Sequence, residues 1–150
     1  MTNFDHIDRN ILRELSRDGR QSNTELAGRI GLSPSACLRR VQELERTGVI
    51  KGYRAVLDAE QLDRGFIAYL AVGLSEHSKA TQEAFERAVE AVPQVVECHN
   101  ITGTVEYLLR VEVADLAAYK HLHTEVVGQF PHISSMTSYI VMGSPVDRRT

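Results

Sequence analysis

Only three residues, Gly31-Leu32-Ser33, separate two short amphipathic patterns in the first third of this 150-residue chain. A turn that short sets two helices at a steep angle, with Leu32 plugging the junction. The second pattern opens on Ser33-Pro34, an N-cap followed by proline at the first helical position, where its missing N–H costs nothing. It runs on to Thr47-Gly48. The first pattern opens on Ser22-Asn23-Thr24-Glu25, a capping box in which hydroxyl and carboxylate satisfy exposed N–H groups reciprocally. Leu26 and Ile30 give it an apolar side before Gly31 ends it. An earlier helix starts at Asp5, carries Ile7, Ile11, Leu12 and Leu15, and stops at Asp18-Gly19. Three helices with this turn predict a helix-turn-helix domain over residues 1–50.

At about 100° per residue, Cys37, Val41 and Leu44 share the core side of the third helix, with Leu38 at its edge. The opposite side presents Ser35, Ala36, Arg39, Gln42, Glu43 and Arg46, with Arg40 on the flank. A recognition helix enters the major groove by its N-terminal half, where small residues permit close approach and arginine bonds guanine twice. The candidate DNA contacts on and before this helix are Ser33, Ser35, Ala36, Arg39, Arg40 and Gln42. Asn23 and Thr24, beside the unpaired N–H groups of the second helix, are the candidates for phosphate, while Ser22 is left to the cap. The competing reading is an ordinary solvated helical face. Charge distribution favours a DNA partner despite a net charge of −3: residues 1–55 sum to +3 and residues 56–150 to −6.

Residues 49–57, rich in β-branched and aromatic types, predict a connecting strand, and 51–64 form the linker region. The rest repeats one order twice: strand 66–74, helix 79–92, strand 95–101, then strand 107–113, helix 116–127, strand 133–142. This is a βαββαβ arrangement over residues 65–142, with a tail over 143–150. Pro93 and Pro131 stop the helical patterns, and Gly103-Thr104 marks the turn between the central strands. Both sets of alternating residues in the first strand are largely apolar: Phe66, Ala68, Leu70, Val72 and Leu74 on one face, Ile67, Tyr69, Ala71 and Gly73 on the other. A second copy covering the helix-free face accounts for this, as does a buried central strand that needs no partner.

Cys37 and Cys98 match no metal spacing and read as reduced, mostly buried thiols of a cytosolic protein. The N-terminus has no basic and then apolar leader, and no run of about 18 apolar residues occurs, so the expected location is cytoplasmic with no membrane partner. The six histidines are scattered; His121 and His123, two apart on a helix, point to different faces and cannot share a metal. No metal, cofactor or catalytic residue is expected.

Several motifs occur in order along almost the whole chain, about residues 3–142. They are Asp8-Arg9-Asn10-Ile11-Leu12-Arg13-Glu14-Leu15, Asp18-Gly19-Arg20, Gly31 to Val41, Leu44-Glu45, Gly48 to Tyr53, Glu97-Cys98-His99, Gly103 to Leu109, and Tyr139-Ile140-Val141-Met142. This set resembles the Lrp/AsnC, or feast/famine, transcription regulators. The resemblance implies an α+β chain: a three-helix helix-turn-helix domain of winged-helix type, joined by a strand to a ferredoxin-like βαββαβ domain. It further implies a homodimer built through the α/β domains, often assembled as an octamer of four dimers, acting on a pseudo-palindromic operator in double-stranded DNA. An amino acid or related effector sits between dimers. The matching effector-binding positions are Gly103, Thr104, Glu106 and Tyr107, with Tyr139, Ile140 and Val141 nearby. A glycine turn can aim N–H groups at a carboxylate and an acidic side chain can accept from an ammonium, although this chain has Glu106 where the family usually has aspartate. A plain hairpin turn is the bland reading of the segment. Some decarboxylases of haem biosynthesis resemble the same two-domain architecture and form the enzymatic alternative, against which Arg39-Arg40 on an intact recognition helix argues. A helix-turn-helix that binds a protein is the third class, separable by salt dependence.

Overall fold

Each helix of the N-terminal unit starts where a side chain is available to cap it, in the computed structural model that describes residues 4–147. Residues 1–3 and 148–150, the ends of the expected first domain and tail, lie outside the described residues. Helix α1 (His6–Arg17) has a reciprocal capping box between Asp5 and Asp8. Helix α2 (Asn23–Ile30) has the expected box between Ser22 and Glu25. Helix α3 (Pro34–Arg46) is capped by Ser33, with Pro34 in the first turn. Ile11, Leu26, Ala27, Cys37 and Leu44 are buried together, and Leu32, Val49 and Ile50 pack against them. Burial raises the Cys37 thiol above its usual range.

By contacts the chain divides after Ala55, and the second unit begins at Val56. The connecting strand expected over 49–57 is not formed, and among the described residues the first strand is β1 (Phe66–Leu74). Strand propensity is expressed only where a neighbour completes the ladder, and this segment has none within the chain. After β1 come α4 (Lys79–Glu90), β2 (Val95–Asn100), β3 (Tyr107–Val113), α5 (Leu116–His121) and β4 (Ile133–Ile140). The four strands pair antiparallel in the order β2-β3-β1-β4, so β1 and β3 are central. The expected helix over 116–127 is correct only to His121. It then relaxes into a π turn (Leu122–Val126) and a 3-10 turn (Val127–Gln129). Gly128 allows that ending, since a Cβ there would stand 2.6 Å from the His123 carbonyl oxygen.

One sheet face is a closed core: Ala68, Leu70, Val72 and Leu74 of β1, with Tyr107, Leu109 and Val111 of β3, meet Phe85 and Val89 of α4 and Tyr119 of α5. The other face is less apolar than β1 alone suggests, because Glu112, Arg110, Thr137 and Ser135 lie opposite its residues, with Leu108 the apolar neighbour on β3. Arg110 lies opposite Tyr69 and is 8% exposed; its Nη1 donates to the Tyr69 hydroxyl at 3.0 Å and its Nε to Glu112 Oε1 at 3.0 Å. Residues 143–147 run beside this pair and line with it an open groove of about 660 Å³. Cys98, expected to be buried, is exposed on edge strand β2.

Candidate nucleic-acid interface and effector turn

The two adjacent arginines of α3 have different environments. Arg40 turns inward: its Nη1 donates to Asp8 Oδ1 at 2.7 Å and lies 2.9 Å from Asp5 Oδ2, tying α3 to α1. Those carboxylates raise its pKa. Arg39 is exposed and, among the described residues, forms no hydrogen bond or ion pair. Ser35 and Gln42 are exposed with it, and Ala36 is half-buried. Glu43 and Arg46 neutralise one another through two bonds of 2.6 and 2.8 Å. The Ser33 hydroxyl accepts from the Ala36 N–H at 3.3 Å and lies 3.3 Å from the Ser35 hydroxyl. Asn23 Nδ2 donates to the Pro34 carbonyl at 2.8 Å, pinning the start of α2 to the start of α3, while Thr24 stays exposed. Four of the eight candidates, Ser33, Ser35, Asn23 and Arg40, therefore carry side-chain hydrogen bonds within the protein.

The turn between β2 and β3 is closed by the Ile101 N–H to Glu106 O bond at 2.8 Å, and the Glu106 N–H donates to Val72 O of β1 at 3.2 Å. Gly103 has φ +142° and its Cβ direction is open, so the turn demands glycine for conformation rather than space. Glu106 Oε2 accepts from the Leu74 N–H at 2.7 Å, and its Oε1 lies 3.2 Å from His77 Nδ1. Tyr107 is fully buried: its hydroxyl donates to Glu86 Oε1 at 2.7 Å and its ring centroid is 4.6 Å from that of Phe85. Burial, then that bond, push its phenol up to about 12. Its side chain belongs to the core and faces away from the turn.

Within one chain, sheet register separates Tyr139, Ile140 and Val141 from this turn. Tyr107 is opposite Val72 on one side of β1, whereas Ile140 is opposite Ala68 on the other. Four residues along a strand and two strand spacings separate them by about 16 Å. His77 joins Glu106 instead, a residue that no periodicity or spacing in the sequence marked.

The family model of the Lrp/AsnC ligand binding domain matches residues 67–150. The chain belongs to the Lrp/AsnC family. A winged helix-turn-helix DNA-binding model matches residues 4–51. The leucine-responsive regulatory proteins of Salmonella typhimurium and Escherichia coli K12 are each 42% identical over 139 residues, 93% of this chain and 85% of the relative. Among solved structures, a transcriptional regulator of Neisseria meningitidis in complex with L-Met superposes with a TM-score of 0.92 at 32% identity, covering 97% of this chain and 94% of that one. Escherichia coli AsnC gives 0.88 at 25% identity, covering 97% and 96%. This Lrp/AsnC chain is a DNA-binding transcription regulator and not an enzyme; the haem-biosynthesis alternative is not favoured.

Proposed function

We propose that this Lrp/AsnC regulator binds a pseudo-palindromic operator as a homodimer and that an amino acid held at the Gly103 to Glu106 turn controls it. The observation that carries the DNA reading is the division of labour on α3: Arg40 braces the fold, and Arg39 stands free beside Ser35 and Gln42. Those three read base edges, Ala36 permits close approach, and Asn23 and Thr24 contact phosphate at the start of α2. Ser33 and Arg40 hold this geometry. An amino-acid effector is supported by the L-Met bound to the Neisseria relative and by the leucine-responsive naming of the relatives 42% identical.

Dimerisation is supported by the linker. Tyr53, Val56 and Leu57 are 51–61% exposed on a strand-prone segment with no ladder, which a second copy could complete. Because Tyr139 to Val141 lie about 16 Å from the turn within one chain, a pocket using both needs residues of another protomer. That requirement suits an assembly of dimers such as the octamer. No described helix is long and apolar enough to cross a membrane, and the proposed site of action is the cytoplasm.

The test is operator binding by gel shift at several salt concentrations, with and without L-leucine or L-methionine, alongside the mass of the complex by light scattering. A steep fall of affinity with salt and an amino-acid-dependent change in affinity or mass are expected. A monomer indifferent to both salt and amino acids would refute the reading.

A further inference from the structure

Glu106 reaches back across the end of β1 rather than into open solvent. Its Oε2 accepts from the Leu74 N–H where the β1–β4 register shifts between Gly73 and Leu74. The β1–β3 ladder ends at Val72 opposite Tyr107, so the Leu74 N–H on that side has no strand partner, and the carboxylate supplies the acceptor. The other oxygen, Oε1, faces His77 Nδ1 at 3.2 Å. The two partners differ in mobility: one is main chain inside a sheet, the other a side chain 68% exposed. Serine hydroxyls of β4 lie alongside. A Cβ on Gly73 would stand 3.3 Å from Ser134 Oγ and 3.7 Å from Glu106 Oε2.

We infer that His77 occupies, in the free protein, the Glu106 oxygen that accepts the ammonium of an α-amino-acid effector, so that protonated His77 competes with the ligand. This rests on the assignment of the Gly103 to Glu106 turn as the effector site. An imidazolium and an ammonium at one oxygen repel each other, and Oε2 is already held by Leu74. The ligand must displace His77. An ion pair this exposed is weak, so displacement is feasible yet measurable. The neighbouring charges are otherwise engaged: Glu76 with His132 at 3.5 Å before β4, and Lys79 with Glu83 at 3.6 Å on α4. Among the described residues, the charge facing His77 is that of Glu106.

Imidazoles change charge between about pH 5 and 8, while the ammonium of an amino acid stays protonated there. Effector affinity therefore rises with pH in the natural protein. Loss of the competitor in His77→Gln raises affinity at low pH and flattens the profile. The size of the effect is that of an exposed ion pair, about two- to fivefold.

The experiment is calorimetric titration of the full chain with L-leucine and with L-methionine at about pH 6 and about pH 8, for the natural protein, His77→Gln and Glu106→Gln. Expected are tighter binding by the natural protein at the higher pH, pH-independent binding by His77→Gln at that higher level, and weak binding by Glu106→Gln throughout. If His77→Gln keeps the natural pH dependence while Glu106→Gln still loses binding, the competition is overturned and the effector site stands. If Glu106→Gln binds like the natural protein, or neither amino acid binds at either pH, the effector site and the competition both fall.

Discussion

Replacing Arg39 and Arg40 separately by alanine should separate recognition from folding, although the two residues are adjacent on one helix. Arg39 is exposed and unpaired among the described residues, so its removal breaks nothing inside the protein. Stability should stay within about 0.5 kcal/mol. A base-reading arginine contributes roughly 1–3 kcal/mol of discrimination, so operator affinity should fall about five- to 150-fold. Affinity for unrelated DNA should change little. Arg40 is the opposite case. A sheltered charge-assisted hydrogen bond contributes about 1.5–3 kcal/mol and an exposed ion pair about 0.2–1 kcal/mol. With Arg40 31% and Asp8 18% exposed, the bond falls between, at roughly 1–2 kcal/mol. For a unit this small that lowers Tm by roughly 4–16 °C. Asp8→Asn weakens the same pair from the α1 side, along with the cap bond from the Asp5 N–H, and should also lower Tm. The assays are far-UV thermal melts of the full chain and gel shifts on operator and unrelated DNA, run well below both melting points. If Arg40→Ala melts like the natural protein yet loses operator affinity, or Arg39→Ala binds operator normally, the division of roles is wrong.

Two pH predictions follow from the caps and from two phenols with raised pKa. Asp5 is held below its usual 3.8, mainly by the Asp8 N–H and then by Arg40, and Glu25 below 4.5, mainly by the Ser22 N–H. Depressed carboxylates stabilise the fold above their unfolded values and lose that contribution as pH falls through the lower folded ones, so helix signal should decline in acid below about 4. Circular dichroism of the double variant Asp5→Asn, Glu25→Gln should show a shallower acid limb; an unchanged limb counts against the caps. Tyr107 and Tyr53 are both pushed up to about 12, so their contribution is complete below pH 10 and is lost as pH rises through about 12. Ultraviolet titration of Tyr107→Phe should show one phenol fewer in that late step, and an undiminished step would place Tyr107 outside the core.

Much of the fold was legible because its signals are local. Ser22 with Glu25, Ser33 with Pro34 and the Asp5 cap act over three or four residues, a range sequence spacing reports directly. The βαββαβ order followed from alternating periods and from Pro93 and Pro131. The connecting strand failed because strand propensity at Tyr53, Val56 and Leu57 acts only with a ladder partner. The last helix was overextended because a 3.6-residue pattern does not reveal a π turn whose ending relies on close packing at Gly128.

The candidate sites divide along the same line. The amino-acid sequence by itself determined that α3 would present Ser35, Arg39 and Gln42 outward, since helical geometry assigns faces from spacing alone. It also marked the glycine turn at Gly103. Only tertiary structure decided that Arg40 pairs with Asp5 and Asp8 at the start of α1, because those carboxylates lie more than thirty residues away in the chain. Strand register, a long-range property, buried Tyr107, set Tyr139 to Val141 apart from the turn, and brought His77 to Glu106.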